Sequence, residues 1–163
     1  MYKLIKNYQN DDKLRSSLNK LAEKTFKLNF ENWYKSGYWR NNYIPYSMVN
    51  DDEIIANVSI NIMDMKWGGG IKHFIQLGTV MTEKQYRNQG FIRRIMDEIE
   101  ADFAGKTDGM YLFANDRVLD FYPKFGYHKA VEFQYSKMVD TSENRTIKQI
   151  PMRDKQAWEV LES

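Results

Sequence analysis

Arg87, Asn88, Gln89, Gly90, Phe91 and Ile92 stand at a junction, where a strand-like run ending in Val80, Met81 and Thr82 gives way to a helical period. A helix beginning there leaves about four backbone N–H groups without intrahelical partners and gathers about half a positive charge at its start. Such a set of amides can cradle a diphosphate. Gly90 lets the backbone approach the phosphates closely, and Arg87, with Arg93 and Arg94 beyond it, adds positive charge. The plain competitor is a turn that merely contains Arg and Gly. Two other phosphate-binding designs fail, because the chain has neither Gly-x-Gly-x-x-Gly with an acidic ribose ligand nor Gly-Lys-Ser/Thr.

A second group follows at a distance: Asn115, then Phe121-Tyr122-Pro123-Lys124-Phe125-Gly126-Tyr127. Taken alone, Tyr122 reads as a core tyrosine on an amphipathic helix. A third is the aromatic crowd of Trp33, Tyr34, Tyr38, Trp39, Tyr43 and Tyr46. It reads equally as a flank or lid of the core and as the wall of an aromatic-lined acceptor site.

Composition removes several kinds of chemistry. The 163 residues include no cysteine, which excludes disulfides, thiolate metal sites and a cysteine nucleophile. The two histidines, His73 and His128, are far apart, so no metal is expected. Net charge is +2 with both signs interspersed, which argues against a nucleic-acid surface while leaving room for a local anion site. No apolar run approaches the ~20 residues of a membrane span, and the opening Met1-Tyr2-Lys3-Leu4-Ile5-Lys6 lacks a signal-peptide core. The expectation is a cytoplasmic protein with no membrane partner.

The elements that must position these groups follow from periodicity. Residues 2–6 read as a strand. Asp11 or Asp12 caps a helix with Leu14, Leu18, Leu21, Ala22 and Phe26 on one face and Asn29 as its stop. Residues 30–36 suggest a short helix ended by Gly37, and Pro45 forces an extended entry into residues 46–49. Asn50-Asp51-Asp52 marks a turn. Ile54, Ala56, Val58, Ile60 and Ile62 then alternate with Asn57, Ser59 and Asn61, giving one buried and one polar face. Gly68-Gly69-Gly70 closes the next hairpin, leading into a strand over residues 74–82. Phe91, Ile92, Ile95, Met96, Ile99 and Phe103 fall at helical spacing, Gly105 stops that helix, and residues 110–114 form a short buried strand. Residues 74–114 are therefore strand, crossover helix and parallel strand. Asn115 or Asp116 caps a further helix carrying Val118, Leu119 and Phe121, which Pro123 kinks or shortens and Gly126 ends. A strand is expected over 129–139. Beyond a polar stretch, residues 147–150 and 154–161 suggest a terminal strand and helix.

The first two groups, in this order around one strand–helix–strand unit, resemble the GNAT superfamily of N-acetyltransferases. Its acetyl-CoA loop reads Gln/Arg-x-x-Gly-x-Gly/Ala, here Arg87-Asn88-Gln89-Gly90-Phe91-Ile92. Ile92 takes the place of Gly or Ala, so its side chain must point toward the core and away from the phosphates. The family also carries an Asn at the end of the following strand and then Phe-Tyr-x-x-x-Gly-Phe/Tyr, here Asn115 and residues 121–127. The resemblance spans residues 2–139 and is strongest over 74–127. It implies an α/β (mixed α+β) fold with a central mixed sheet flanked by helices. It places an acetyltransferase domain at 1–139, with 140–163 either completing it or beginning a second module.

The resemblance further implies acetyl-CoA as co-substrate, a primary amine as acceptor, and no metal. The backbone of Val80, Met81 and Thr82 would pair with the pantetheine arm and offer an N–H to the thioester oxygen. Asn115 would orient cofactor or acceptor, and Tyr122 would protonate the leaving thiolate, a role suited to a phenol with a pKa of about 10. The amine must lose its proton before attack; Glu83 follows the strand but sits by the phosphate loop, where a base is misplaced, which leaves His73 or Asp64 acting through water, a water chain alone, or an amine that binds already neutral. The aromatic stretch precedes the core strands, where the family builds its acceptor wall. A homodimer is compatible with all of this. The competing function is a non-catalytic acyl-CoA-binding or partner-docking module on the same fold; a nucleic-acid-binding domain is a distant third.

Overall fold

A computed structural model describes residues 1–138. Met1–His128 form one compact unit, and Lys129–Ser163 fall in a second. The first unit is built on a five-stranded sheet of β1 (Lys3–Lys6), β2 (Tyr43–Asn50), β3 (Glu53–Trp67), β4 (Gly70–Thr82) and β5 (Gly109–Leu112), lying side by side in chain order. The first four are antiparallel, and β5 joins β4 in parallel through the crossover helix α3 (Phe91–Phe103). Two further helices, α1 (Asp12–Phe26) and α2 (Glu31–Lys35), lie between β1 and β2 in the chain.

Local chemistry explains most of the boundaries. Asp11 is the cap of α1: its carboxylate accepts from the amides of Lys13 and Leu14 at 3.0 and 3.1 Å, a contact worth about 1 kcal/mol. The helix stops at Lys27, which takes a left-handed φ of 60°, two residues before the expected stop. Asn29 instead accepts from the amide of Glu31 at 2.9 Å and so starts α2. Phe26, expected inward, is 43% exposed. Asp51 and Asp52 both have positive φ, as do Gly68 and Gly69. Each pair makes a two-residue hairpin turn whose twist matches its strands. The second hairpin reaches further than expected, because β4 begins at Gly70.

Pro45 lies within β2, opposite Ser59 of β3. It is tolerated because β1 ends at Lys6, opposite Tyr46, so no ladder bond is asked of its missing N–H.

Alternation along the strands divides the core between the two faces of the sheet. On one, Tyr46, Met48, Ala56, Val58, Ile60, Ile75 and Leu77 pack against Phe91, Ile95, Met96 and Ile99 of α3. On the other, Tyr43, Val49, Ile54 and Met81 pack against Leu18, Leu21 and Ala22 of α1, with Tyr8 and Trp39. Burying each such large apolar side chain contributes roughly 1.5–3 kcal/mol. The polar side of β3 does not face water: Asn57 and Ser59 are fully buried on the α1 side.

Two further expectations differ from the structure. The helix expected after Asn115 is instead a pair of 3₁₀ turns, at Asp116–Val118 and Tyr122–Phe125. Pro123 has no N–H to give and its ring would meet the carbonyl four residues back, so a continuous α-helix cannot pass through it. The strand expected over 129–139 is absent across 129–138, where no ladder partner is present among the described residues. The expected strand at 147–150 and helix at 154–161 lie outside those residues.

Candidate active site

The site begins with an irregularity in β4. Ser59 pairs with Gly78 and Asn57 with Met81, so Thr79 and Val80 together stand opposite Val58. That extra residue is a β-bulge, and it reverses the alternation of β4. Ile75 and Leu77 face α3 before it; beyond it, Val80 packs on that cluster while Met81, 2% exposed, joins the α1 side. Thr79 has a φ of 44°, in the left-handed region that a β-branched residue avoids. Holding it there costs about 1–3 kcal/mol.

A buried polar chain meets the bulge. Tyr8 Oη lies 2.7 Å from Ser47 Oγ, which donates to Asn57 Oδ1 at 2.8 Å. Asn57 Nδ2 donates to the carbonyl oxygen of Thr79 at 2.9 Å and to Ser59 Oγ at 3.0 Å. Tyr43 Oη donates to Ser59 Oγ at 2.9 Å and lies 3.4 Å from Thr79 Oγ1. Burial pushes the phenols of Tyr8 and Tyr43 well up, so the chain is neutral.

Past the bulge, β4 loses its neighbour on one side. Parallel pairing with β5 ends at Leu77 opposite Leu112, and residues 78–82 have no strand partner on that edge among the described residues. Val80, Met81 and Thr82 thus border an open wedge with backbone on offer, while the side chains of Val80 and Met81 are turned into the two cores.

The bend follows directly. The Glu83 amide donates to the Ile55 carbonyl at 2.8 Å, and one 3₁₀ turn at Lys84–Tyr86 leads to Arg87. Asn88 and Gly90 have φ of 61° and 78°, and α3 starts at Phe91 with no side-chain cap. The first amide with an intrahelical partner is that of Arg94, bonded to the Gly90 carbonyl at 3.1 Å. Among the described residues, the amides of Asn88, Gln89, Gly90, Phe91, Ile92 and Arg93 have no protein acceptor. Phe91 is buried and Ile92 packs on the α3-side core, so the larger residue at position 92 leaves the amides clear.

The bend is propped by contacts that sequence reasoning missed. Tyr2, Tyr86 and Phe91 pack edge to face, with ring centroids 4.9 to 6.4 Å apart, and Asn50 Nδ2 reaches Tyr86 Oη at 3.4 Å. Arg87 Nε donates back to the Thr82 carbonyl at 3.3 Å, and Gln89 Nε2 to that of Gln85 at 3.2 Å. Arg93 is engaged elsewhere: its guanidinium lies 4.3 Å from the Phe125 ring centroid and donates to the Lys124 carbonyl.

Asn115 is exposed and its Oδ1 caps the first 3₁₀ turn by accepting from the Arg117 amide at 3.0 Å. Tyr122 is half-buried beside Phe121 and Tyr127, and its hydroxyl has no partner among the described residues. Burial raises its pKa above the usual phenol value.

The base candidates are poorly placed. Glu83 is held by Lys24 at 2.7 Å, which lowers its pKa. His73 Nδ1 and Asp64 Oδ1 pair at 2.7 Å toward the far end of the β3–β4 hairpin, six residues and about 20 Å along β4 from the bulge. The aromatic crowd is chiefly core flank: Trp39 and Tyr43 are buried, Trp33 stacks on Trp39 at 5.8 Å, and only Tyr38 projects strongly. A groove of about 680 Å³ lined by Lys20, Lys24, Glu53, Glu83, Lys84 and Tyr86 lies on the α1 side of the approach to the bend, and includes none of residues 80–82, Asn115 or Tyr122. Among the described residues, no cluster of three or more His, Asp or Glu could hold a metal, and no helix is long and apolar enough to cross a membrane.

Alternation alone puts Asn57 on the solvent side of its strand, and for Thr79 the one sequence signal is the neighbouring in-strand Gly78.

This arrangement of bulged strand, open wedge and uncapped helix start defines an acyl-CoA-dependent acetyltransferase fold. Residues 10–130 match the family model described as "Acetyltransferase (GNAT) domain", and the chain belongs to that family of acetyl-CoA-using enzymes. An aminoglycoside acetyltransferase from an uncultured soil metagenomic sample, in complex with trehalose, has a TM-score of 0.66 at 17% identity, over 84% of this chain and 97% of that one. A Trypanosoma brucei acetyltransferase has a TM-score of 0.66 at 18% identity, over 85% and 100%. A predicted acetyltransferase from Clostridium acetobutylicum, solved with acetyl-CoA, has a TM-score of 0.65 at 16% identity, over 84% and 96%. At these identities the structures speak for the fold. No curated protein matches the chain.

Proposed function

We propose that the chain moves the acetyl group of acetyl-CoA onto a primary amine, of a small molecule or a protein. The reading rests on one observation: among the described residues, six consecutive amides, residues 88–93, have no protein acceptor, and one short turn separates them from the β4 edge that lacks a strand partner. The amides would grip the diphosphate. The edge at residues 78–82 would pair with the pantetheine arm, and an N–H among Val80, Met81 and Thr82 would steady the carbonyl oxygen as the amine attacks. Tyr122, kept protonated by burial, would hand its proton to the departing thiolate. Asn115 would orient the cofactor or acceptor from the end of the strand. The attacking nitrogen would lose its proton to water.

A second reading, an acyl-CoA-binding module without turnover, is favoured by the engaged Glu83 and the distant Asp64–His73 pair. A thiol-release assay separates the two. The panel should hold aminoglycosides, because an aminoglycoside acetyltransferase shares the fold, together with small polyamines and lysine peptides. Turnover of any amine supports the transferase; saturable acetyl-CoA binding with no turnover across the panel supports the binding module.

A further inference from the structure

We propose that Asn57 and Tyr43 are positioning residues that clamp Thr79 in its left-handed bulge and thereby hold open the wedge between β4 and β5. The inference rests on the transferase reading and adds to it a buried polar chain on the α1 side of the sheet.

Three observations converge on it. The centre of the sheet face toward α1 carries Ser47, Asn57 and Ser59, all fully buried among the apolar side chains that pack on α1. Burying polar groups there is unfavourable unless each is hydrogen-bonded, and among the described residues none is left unpaired. The chain has a direction. Ser47 donates to Asn57 Oδ1, which turns the Asn57 amide so that Nδ2 points at the Thr79 carbonyl. That carbonyl sits where the register of the β3–β4 ladder breaks, so the side chain of Asn57 supplies a donor to it. Tyr43 approaches the same residue through its hydroxyl.

What the clamp holds is the register. Released, Thr79 would relax toward extended backbone, where a β-branched residue belongs. Losing the extra residue would shift the strand by one position and exchange the faces of the residues that follow. Val80 and Met81 would leave the cores they now fill, and the edge beside β5 would no longer begin at Gly78. The chain contains hydroxyls and one amide but no carboxylate or imidazole, so its contribution is geometry, not proton transfer.

The test uses Asn57→Ala, Tyr43→Phe and Thr79→Gly, singly and as the Asn57→Ala/Thr79→Gly pair, with kcat, KM for acetyl-CoA and Tm measured for each. Asn57→Ala should lower kcat by about tenfold or more, with KM for acetyl-CoA moved by less than about threefold. Tyr43→Phe, which removes only a hydroxyl, should act in the same direction and more weakly, and serves if Asn57→Ala does not fold. Adding Thr79→Gly to Asn57→Ala should restore much of the lost kcat, because glycine takes the positive φ without help. An unchanged kcat per folded molecule, or no recovery in the pair, overturns the clamp. If the wild type turns over no amine, the transferase reading falls, and Tm still decides: non-additive shifts at positions 57 and 79 uphold the clamp, additive ones overturn it.

Discussion

Lys24 Nζ lies 2.7 Å from Glu83 Oε2, joining α1 to the turn that leads into the bend before α3. The same carboxylate accepts from the Lys84 amide, and Lys24 is the largest cause holding its pKa below the ordinary glutamate value. A carboxylate so engaged is a weak base. Glu83→Gln is therefore expected to leave kcat within about threefold of wild type and the acidic limb of the pH–rate profile in place, with a small fall in Tm. A loss of two orders of magnitude, with that limb abolished, would make Glu83 the base after all.

Tyr122 should behave differently. Its hydroxyl is half-buried and has no protein partner among the described residues, so Tyr122→Phe removes a proton donor while leaving the packing with Phe121 and Tyr127 intact. The expected loss in kcat is about 10²- to 10⁴-fold, with little change in KM for acetyl-CoA. Burial disfavours the phenolate and raises the pKa, so the phenol stays protonated beyond its usual range. Activity should not decline on the alkaline side through Tyr122 below about pH 10. Steady-state kinetics from pH 6 to 10 on both proteins checks this.

The parts legible in the sequence are those set by neighbours along the chain. The junction from strand through bend to helix, with Gly90 at its centre, is local: a strand period, a positive-φ glycine and a helical period in sequence. The cap at Asp11 and the hairpin turns are local too. Features set across the sheet were not legible. Gly78 within residues 74–82 is a hint of a bulge, but its place at Thr79 is not legible, because that depends on which residue of β3 pairs with Gly78. Asn57 and Ser59 look solvent-facing by alternation alone; they are buried because α1 and the hydroxyls of Tyr43 and Tyr8 come from elsewhere in the chain to cover and satisfy them. After Asn115 the helical pattern competes with Pro123, and the proline decides the outcome.

Gly90 offers a test of the bend that is separable from packing. Its φ is 78°, and a Cβ built there would meet nothing within 4 Å. Gly90→Ala should therefore destabilise the fold only through the left-handed backbone, by about 1–2 kcal/mol. It should also weaken acetyl-CoA binding, since the added methyl would lie where the proposed site brings the diphosphate to the amides. Calorimetric titration and a denaturant melt on the same variant check both effects; unchanged affinity would move the diphosphate elsewhere.

Acid should unfold the protein through its paired carboxylates. Arg15, buried against Glu31 at 3.0 Å, lowers the pKa of Glu31, and Lys6, with Tyr46, lowers that of Asp102. A carboxylate whose folded-state pKa is depressed contributes stability above its unfolded value near 4 and loses it as the pH falls through the folded value. Tm should fall steeply below about pH 4. In Glu31→Gln it should start lower at pH 7 and fall less. Lys6 has a raised pKa, so its share should persist until the pH passes about 10.

Amide NMR reads the amides of residues 88–93 directly. Titrating acetyl-CoA into ¹⁵N-labelled protein should produce saturable shifts concentrated on Asn88, Gly90, Ile92 and Arg93, with smaller ones along residues 78–82. Saturable binding that leaves those amides unmoved, or no binding up to about 1 mM, would rule out a diphosphate held by residues 88–93.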